Sequence, residues 1–148
     1  MEKYILIARE SKVSNGKPLI PVAVACVTKV PDKVLLVKGG RENLPLHNTL
    51  TFPLAEIAPM TSIERGLKAK ILKNLGLRIK VLKLVHAQSE TVSSSLGTQS
   101  LLFLFYKVRV LGGSSNPKLK DLGQWISESE VQKIGLQQGM ADGYRELK

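Results

Sequence analysis

The clearest pattern in the sequence is an apolar stripe of helical period, flanked by charged positions. Its members are Ile63, Leu67, Ile71 and Leu75, with Leu72 on the same flank. Thr61 and Glu64 have the spacing of a capping box, in which the two residues satisfy backbone amides of the first turn. Gly76, followed by Leu77, fits a left-handed helix terminator. We therefore expect a helix over Thr61–Leu75.

Runs rich in β-branched and other apolar residues predict the strands of a sheet. The runs are Tyr4–Ala8, Pro21–Thr28, Lys33–Lys38, Arg78–Ala87, Leu101–Val110 and Leu122–Ile126, with a shorter one near Leu50–Phe52. Val30-Pro31-Asp32 joins the second and third runs as a hairpin, and the serine-rich stretch Ser89–Gln99 is predicted as a loop. Ser127 and Glu130 form a second capping box, which begins a short helix that ends near Gly135.

The order of these elements predicts an α+β arrangement within the α/β class, a mixed sheet packed by helices. The length of 148 residues suits one domain, which we expect to span residues 1–148. No apolar run approaches the roughly 18 residues that a membrane span needs, and the first residues lack the pattern of a signal peptide. We expect a cytoplasmic protein with no membrane partner. Cys26, inside the apolar run Ile20–Val27, is predicted to be a buried thiol.

The charge of the chain narrows the choice of partner. Lys and Arg number 22 against 12 Asp and Glu, a formal net charge of +10. Such an excess of positive charge favours an anionic partner, which could be nucleic acid, an anionic membrane surface or a phosphorylated ligand. A lysine-rich solvated surface is the alternative interpretation.

The order of elements from Pro21 to Gln137 resembles the Nudix superfamily. Pro21–Val27 and Lys33–Lys38 are similar to the paired strands that precede the family's sequence box, and Asp121–Trp125 is similar to its closing strand. The resemblance implies a Nudix-like α/β/α sandwich with a mixed β-sheet.

The box of that family, Gx5Ex7REUxEExGU with U a bulky aliphatic residue, aligns here without a gap. Ile71 occupies its inner aliphatic position, and Gly76 with Leu77 occupies its closing pair. Phe52-Pro53 stands where the family has a bulky residue and a proline. The positions that build the scaffold therefore match.

The chemical positions of the box depart from the family. Ala55 replaces the first glycine and Thr61 the first glutamate, Ala69 and Lys70 replace the Arg-Glu pair, and Lys73 and Asn74 replace the two glutamates that hold metal. Hard cations such as Mg²⁺ need carboxylate oxygens, and lysines there turn attraction into repulsion. No catalytic residue of the family therefore carries over to this chain. We expect no bound metal and no cofactor. The sequence leaves enzymatic activity open and favours its absence.

The segment from Thr61 to Lys83 carries seven basic residues and one acidic residue, Glu64. Lys70, Lys73 and Asn74 share one helical flank. In the fold that the resemblance implies, this flank lines the groove where nucleotide phosphates sit. The candidate nucleic-acid or phosphate-binding residues are Arg41, Arg65, Lys68, Lys70, Lys73, Asn74, Arg78, Lys80 and Lys83. A solvated helix face is the alternative.

Other candidate residues point to structure rather than chemistry. Glu56, Glu64 and Glu90 could rebuild a metal site from outside the box, although capping explains Glu64 and loop solvation explains Glu90. His47 and His86 have no metal-spaced partner, so each is predicted to be structural. The aromatic residues Phe103, Phe105, Tyr106 and Trp125 are predicted to pack in the core rather than to stack on bases.

These observations lead to a hypothesis with two rivals. We expect a non-catalytic Nudix-fold protein that binds RNA or a ribonucleoprotein through its basic helix and the strand that follows. The first alternative is a divergent Nudix-type hydrolase of nucleoside diphosphate derivatives. The second is a sensor that binds a nucleotide without hydrolysing it.

Overall fold

The computed structural model describes residues 19–29, 32–38, 50–58, 60–94, 97–113, 117–131, 133 and 143–146. Its strands are β1 (Ile20–Lys29), β2 (Lys33–Lys38), β3 (Leu50–Thr51), β4 (Leu54–Glu56), β5 (Arg78–Ser94), β6 (Gly97–Gly112) and β7 (Gly123–Ser127). Its helices are α1 (Ile63–Leu75), α2 (Pro117–Leu122) and α3 (Glu128–Val131). A further helical turn occupies residues 143–146.

The seven strands that the structure describes form a mixed sheet, as the sequence predicted. Its strand order is β3-β2-β1-β6-β5, with β4 paired to β1 and β7 paired to β2. β1 runs parallel to β6 over nine register pairs, while β1 and β2 form the predicted antiparallel hairpin. β5 therefore lies at an edge of the sheet.

Helices cover both faces of the sheet, which confirms the predicted α/β/α sandwich. On one face, Leu67, Ile71 and Leu75 of α1 and Leu119 of α2 pack over the small side chains of β1. On the other face, α3 and the turn at residues 143–146 pack against Phe52, Phe103 and Phe105. Strand alternation explains the two cores, because successive side chains of β1 and β6 point to opposite faces.

α1 confirms the predicted helix with two corrections. Its N-cap is Ser62, whose hydroxyl accepts a hydrogen bond from the backbone amide of Arg65, so the predicted cap at Thr61 was one residue early. Leu72 is 48% exposed and so lies outside the buried stripe, because a helix turns about 100° per residue and places it beyond Ile71. Gly76 ends the helix in the left-handed conformation, as predicted.

Three parts of the chain differ from the sequence prediction. The predicted serine-rich loop is mostly strand, because β5 continues to Ser94 and pairs with β6 down to Gly97. β4 is a three-residue strand paired to β1, too short to show a period of its own. α2 occupies Pro117–Leu122, for which the sequence predicted no helix, and proline is favoured at the first helical position.

Some predicted features lie outside the described residues. They are the strand Tyr4–Ala8, the loop that carries Arg41, and His47. Among the described helices, none is both long and apolar enough to cross a membrane.

Candidate functional site

One flank of α1 brings together three of the candidate residues. Lys70 and Asn74 are half-buried and one turn apart, and Lys73 is exposed beside them. The same flank begins at Gly66, whose Cα faces the Cδ1 atom of Ile57 after β4. We call Lys70, Lys73 and Asn74 the helix surface. It runs along the side of α1 that adjoins the end of β4.

The aliphatic positions of the sequence box are buried, as their packing role in the fold requires. Ile71 is 2% exposed and Leu77 is fully buried, while Gly76 has φ of 67°. The chemical positions differ in their surroundings. Ala55 is buried and paired with Ala23 of β1, whereas Thr61 and Ala69 are exposed. These positions thus form a packing unit, with cationic and neutral side chains where the resembling family has its chemical residues.

The other candidate residues of α1 extend the positive charge round its solvent side. Arg65 and Lys68 are both exposed. Viewed down the helix axis, Lys73, Arg65 and Lys68 follow Lys70 in that order, and the arc from Lys70 to Lys68 covers about 200°. The outer side of α1 is therefore basic over a broad arc. Arg41 lies outside the described residues.

The candidate residues of β5 do not join the helix surface. Ile79 and Val81 belong to the core beneath α1, so Lys80 projects from the opposite face of the sheet by strand alternation. A register shift follows Val81, and Lys83 then pairs with Lys107 on that same opposite face. Arg78 sits at another register shift, with its guanidinium over Gly112.

Two basic residues of β6 were missed by the sequence analysis. Arg109 is directly opposite Lys80, and Lys107 is directly opposite Lys83. The signal was present in the alternation of the apolar Val108 and Val110 with basic neighbours.

The carboxylates that could have rebuilt a metal site lie on separate elements. Glu56 is exposed on β4, and Glu64 is exposed in the first turn of α1. Glu90, on β5, accepts a hydrogen bond of 2.7 Å from the Nε2 atom of Gln88. Within the described part of the chain, no three His, Cys, Asp or Glu residues are grouped to hold a metal ion.

The histidine and aromatic residues have the structural surroundings predicted for them. His86 shares a hydrogen bond of 2.8 Å with the Oε1 atom of Gln88 and lies against the ring of Phe105. Phe103 and Phe105 are fully buried, and Trp125 packs partly buried against the core beneath α1. These rings are core residues and not a stacking platform.

Solved structures similar to this chain include several Nudix proteins. A NUDIX hydrolase from Nitrosomonas europaea has 18% sequence identity and a TM-score of 0.69, over 87% of this chain and 88% of that chain. A MutT NUDIX hydrolase from Burkholderia pseudomallei has 14% identity and a TM-score of 0.67, over 89% and 100%. The NUDIX domain of Shewanella oneidensis NrtR, solved with ADP-ribose, has 14% identity and a TM-score of 0.64, over 93% and 95%. No protein-family model and no curated protein matches the sequence.

Proposed function

We propose that this chain, which has the Nudix fold, binds the phosphate backbone of RNA through α1 without hydrolysing it. The proposal depends on one observation above all. Lys70 and Lys73 occupy box positions at which the resembling family has carboxylates, on a flank of α1 where Lys73 is exposed and Lys70 is half-buried.

Electrostatics explains why this exchange favours phosphate over metal. Two unit charges about 4 Å apart interact by about 4 kcal/mol at an effective dielectric constant of 20, and a divalent ion doubles that energy. Lysines therefore repel Mg²⁺ as strongly as carboxylates would attract it. The same ammonium groups attract phosphate oxygens, and Asn74 adds an amide donor beside them.

The extent of the basic arc supports a polymeric ligand. Arg65 and Lys68 continue the positive charge of the helix surface round the outside of α1. A mononucleotide is too small to reach all of these side chains, whereas a chain of phosphates can contact several of them at once. Each phosphate that a cation neutralises releases bound counterions, so affinity grows with the number of contacts.

The test is the binding of a fluorescent oligouridylate at low salt to the wild type and to two double variants. Lys70→Gln/Lys73→Gln removes two charges from the helix surface. Lys33→Gln/Lys133→Gln removes two charges at exposed positions elsewhere and is the matched control. We expect the first variant to bind at least about tenfold more weakly at about 50 mM salt. Equal affinity of the two variants would contradict the proposal.

Hydrolysis of a nucleoside diphosphate derivative is the second candidate function, favoured by the hydrolases among the similar structures and by the NrtR domain solved with ADP-ribose. Incubation with a nucleotide panel and Mg²⁺ or Mn²⁺ separates the two functions. Turnover that is lost in Glu56→Gln or Glu64→Gln would establish the hydrolase. Thermal stabilisation by a free nucleotide but not by RNA would instead identify a nucleotide sensor.

A further inference from the structure

The β5–β6 hairpin carries a cluster of cations on the sheet face opposite α1. Lys80, Lys83 and Arg109 are exposed and Lys107 is half-buried. They form two cross-strand pairs, Lys80 with Arg109 and Lys83 with Lys107. We call these four residues the hairpin surface. On this face the structure describes α3 and the turn at residues 143–146, which pack against the core around Phe103 and Phe105.

The two pairs are unfavourable for folding. Side chains directly opposite each other in an antiparallel pair have Cβ atoms about 4.5–5.5 Å apart, and like charges at that distance are destabilising. The hairpin holds two such pairs side by side. A phosphate bound between the two pairs would offset this repulsion.

Protection of the sheet edge does not explain all four residues. Lysines and bulges on an edge strand prevent pairing with another sheet, and this accounts for Lys80 and Lys83 on β5. Lys107 and Arg109 lie on β6, which is covered by β1 on one side and β5 on the other. Their charges have no edge to protect.

We propose that the hairpin surface is a second binding site for the phosphate backbone of RNA, on the opposite side of the sheet from α1. This inference rests on the proposed function and adds a site to it. The helix surface adjoins β4, on the side of β1 away from β6 and β5, so the two surfaces contact separate segments of an RNA strand.

The spacing of the cations suits a nucleic-acid strand. Side chains on one face of a strand recur about every 6.8 Å, and neighbouring strands lie about 4.8 Å apart. The hairpin surface therefore presents two rows of cations close enough together for one strand to contact several of them with successive phosphates.

The test compares three double variants that each lose two positive charges. They are Lys83→Gln/Arg109→Gln in the hairpin surface, Lys70→Gln/Lys73→Gln in the helix surface, and Lys33→Gln/Lys133→Gln as the control. For each we measure the Tm, the affinity for a long fluorescent oligouridylate, and the dependence of that affinity on salt.

The hairpin variant is expected to bind at least about tenfold more weakly at about 50 mM salt, with a salt slope reduced by about 1.4. Its Tm is expected to be unchanged or higher, because each substitution removes one like-charge pair. Weaker binding by a more stable protein cannot come from misfolding. Combining the helix and hairpin variants should add the two losses of binding free energy, since the sites are on opposite faces.

Each other outcome has a definite meaning. If the helix variant loses affinity and the hairpin variant does not, the second site is disproved and the proposed function stands. If only the hairpin variant loses affinity, the hairpin site stands and the binding role of α1 is disproved. If the wild type does not bind oligouridylate, or binds phosphatidylserine vesicles instead, both proposals are wrong.

Discussion

The pKa of Cys26 reflects its burial in the core. Its side chain is fully buried in β1, and burial raises the pKa of the thiol to about 12 from an ordinary value of 9.0. Burial stabilises the neutral form because the thiolate would lose its hydration. The predicted inert thiol is thereby confirmed as buried.

The raised pKa of Cys26 predicts a specific loss of stability at high pH. Between about pH 9 and 12 the unfolded chain releases the thiol proton and the folded chain keeps it, so the free energy of unfolding falls by about 1.4 kcal/mol per pH unit. Below pH 9 both states hold the proton and the effect is absent. Urea unfolding of the wild type and Cys26→Ala across this range measures the difference. Parallel pH profiles for the two proteins would contradict the burial of the thiol.

Gly113 predicts a second effect at the scale of one residue. It has φ of 90°, and a side chain there would strike the backbone carbonyl of Gly76. Gly113→Ala is expected to lower the free energy of unfolding by about 2 kcal/mol or more, from backbone strain and the clash together. Gly66→Ala is the control, because its methyl group would meet only side-chain ends, the Cδ1 atom of Ile57 and the Cγ2 atom of Thr61, and should change stability by less than about 1 kcal/mol. Similar costs at both glycines would contradict the close approach.

At the scale of the element, α1 buries one apolar stripe and exposes the residues beside it. Ile71 is 2% exposed and its neighbour Leu72 is 48% exposed. Ile71→Ala should cost about 2–4 kcal/mol of unfolding free energy, the range for buried aliphatic truncations. Leu72→Ala should cost less than about 1 kcal/mol. Chemical denaturation measures the unfolding free energy of both variants. Equal losses for Ile71→Ala and Leu72→Ala would mean that the helix is rotated from its observed orientation.

The elements that the sequence predicted well are those with strong local signals. α1 was found because stripe and C-cap agree, and Gly76 ends it where expected. The β5–β6 hairpin was cut short because its far end is serine-rich, and pairing with β6 decides its conformation there. The strand β4 depends on register with Val22, Ala23 and Val24 of β1, a long-range contact with no local pattern.

At the scale of the whole molecule, the sequence predicted the fold but not the arrangement of the charges. In the sequence, Lys80 and Lys83 belong to the same basic segment as Lys70 and Lys73. The structure divides them between two faces, because side chains alternate along β5 and a register shift follows Val81. Neither the shift nor the pairing with Lys107 and Arg109 is encoded within a short window of sequence. The positions of the two basic surfaces can therefore be predicted only when the register of the sheet is known.

The central claim is that α1 of this Nudix-fold protein binds phosphate by charge. The most direct measurement is the affinity for oligouridylate between about 50 and 200 mM salt, for the wild type and Lys70→Gln/Lys73→Gln. We expect log affinity to fall linearly with log salt, and the variant to have a slope smaller by about 1.4, which corresponds to two lost phosphate contacts on a single strand. Binding that is independent of salt, or a slope unchanged by the two substitutions, would contradict the claim.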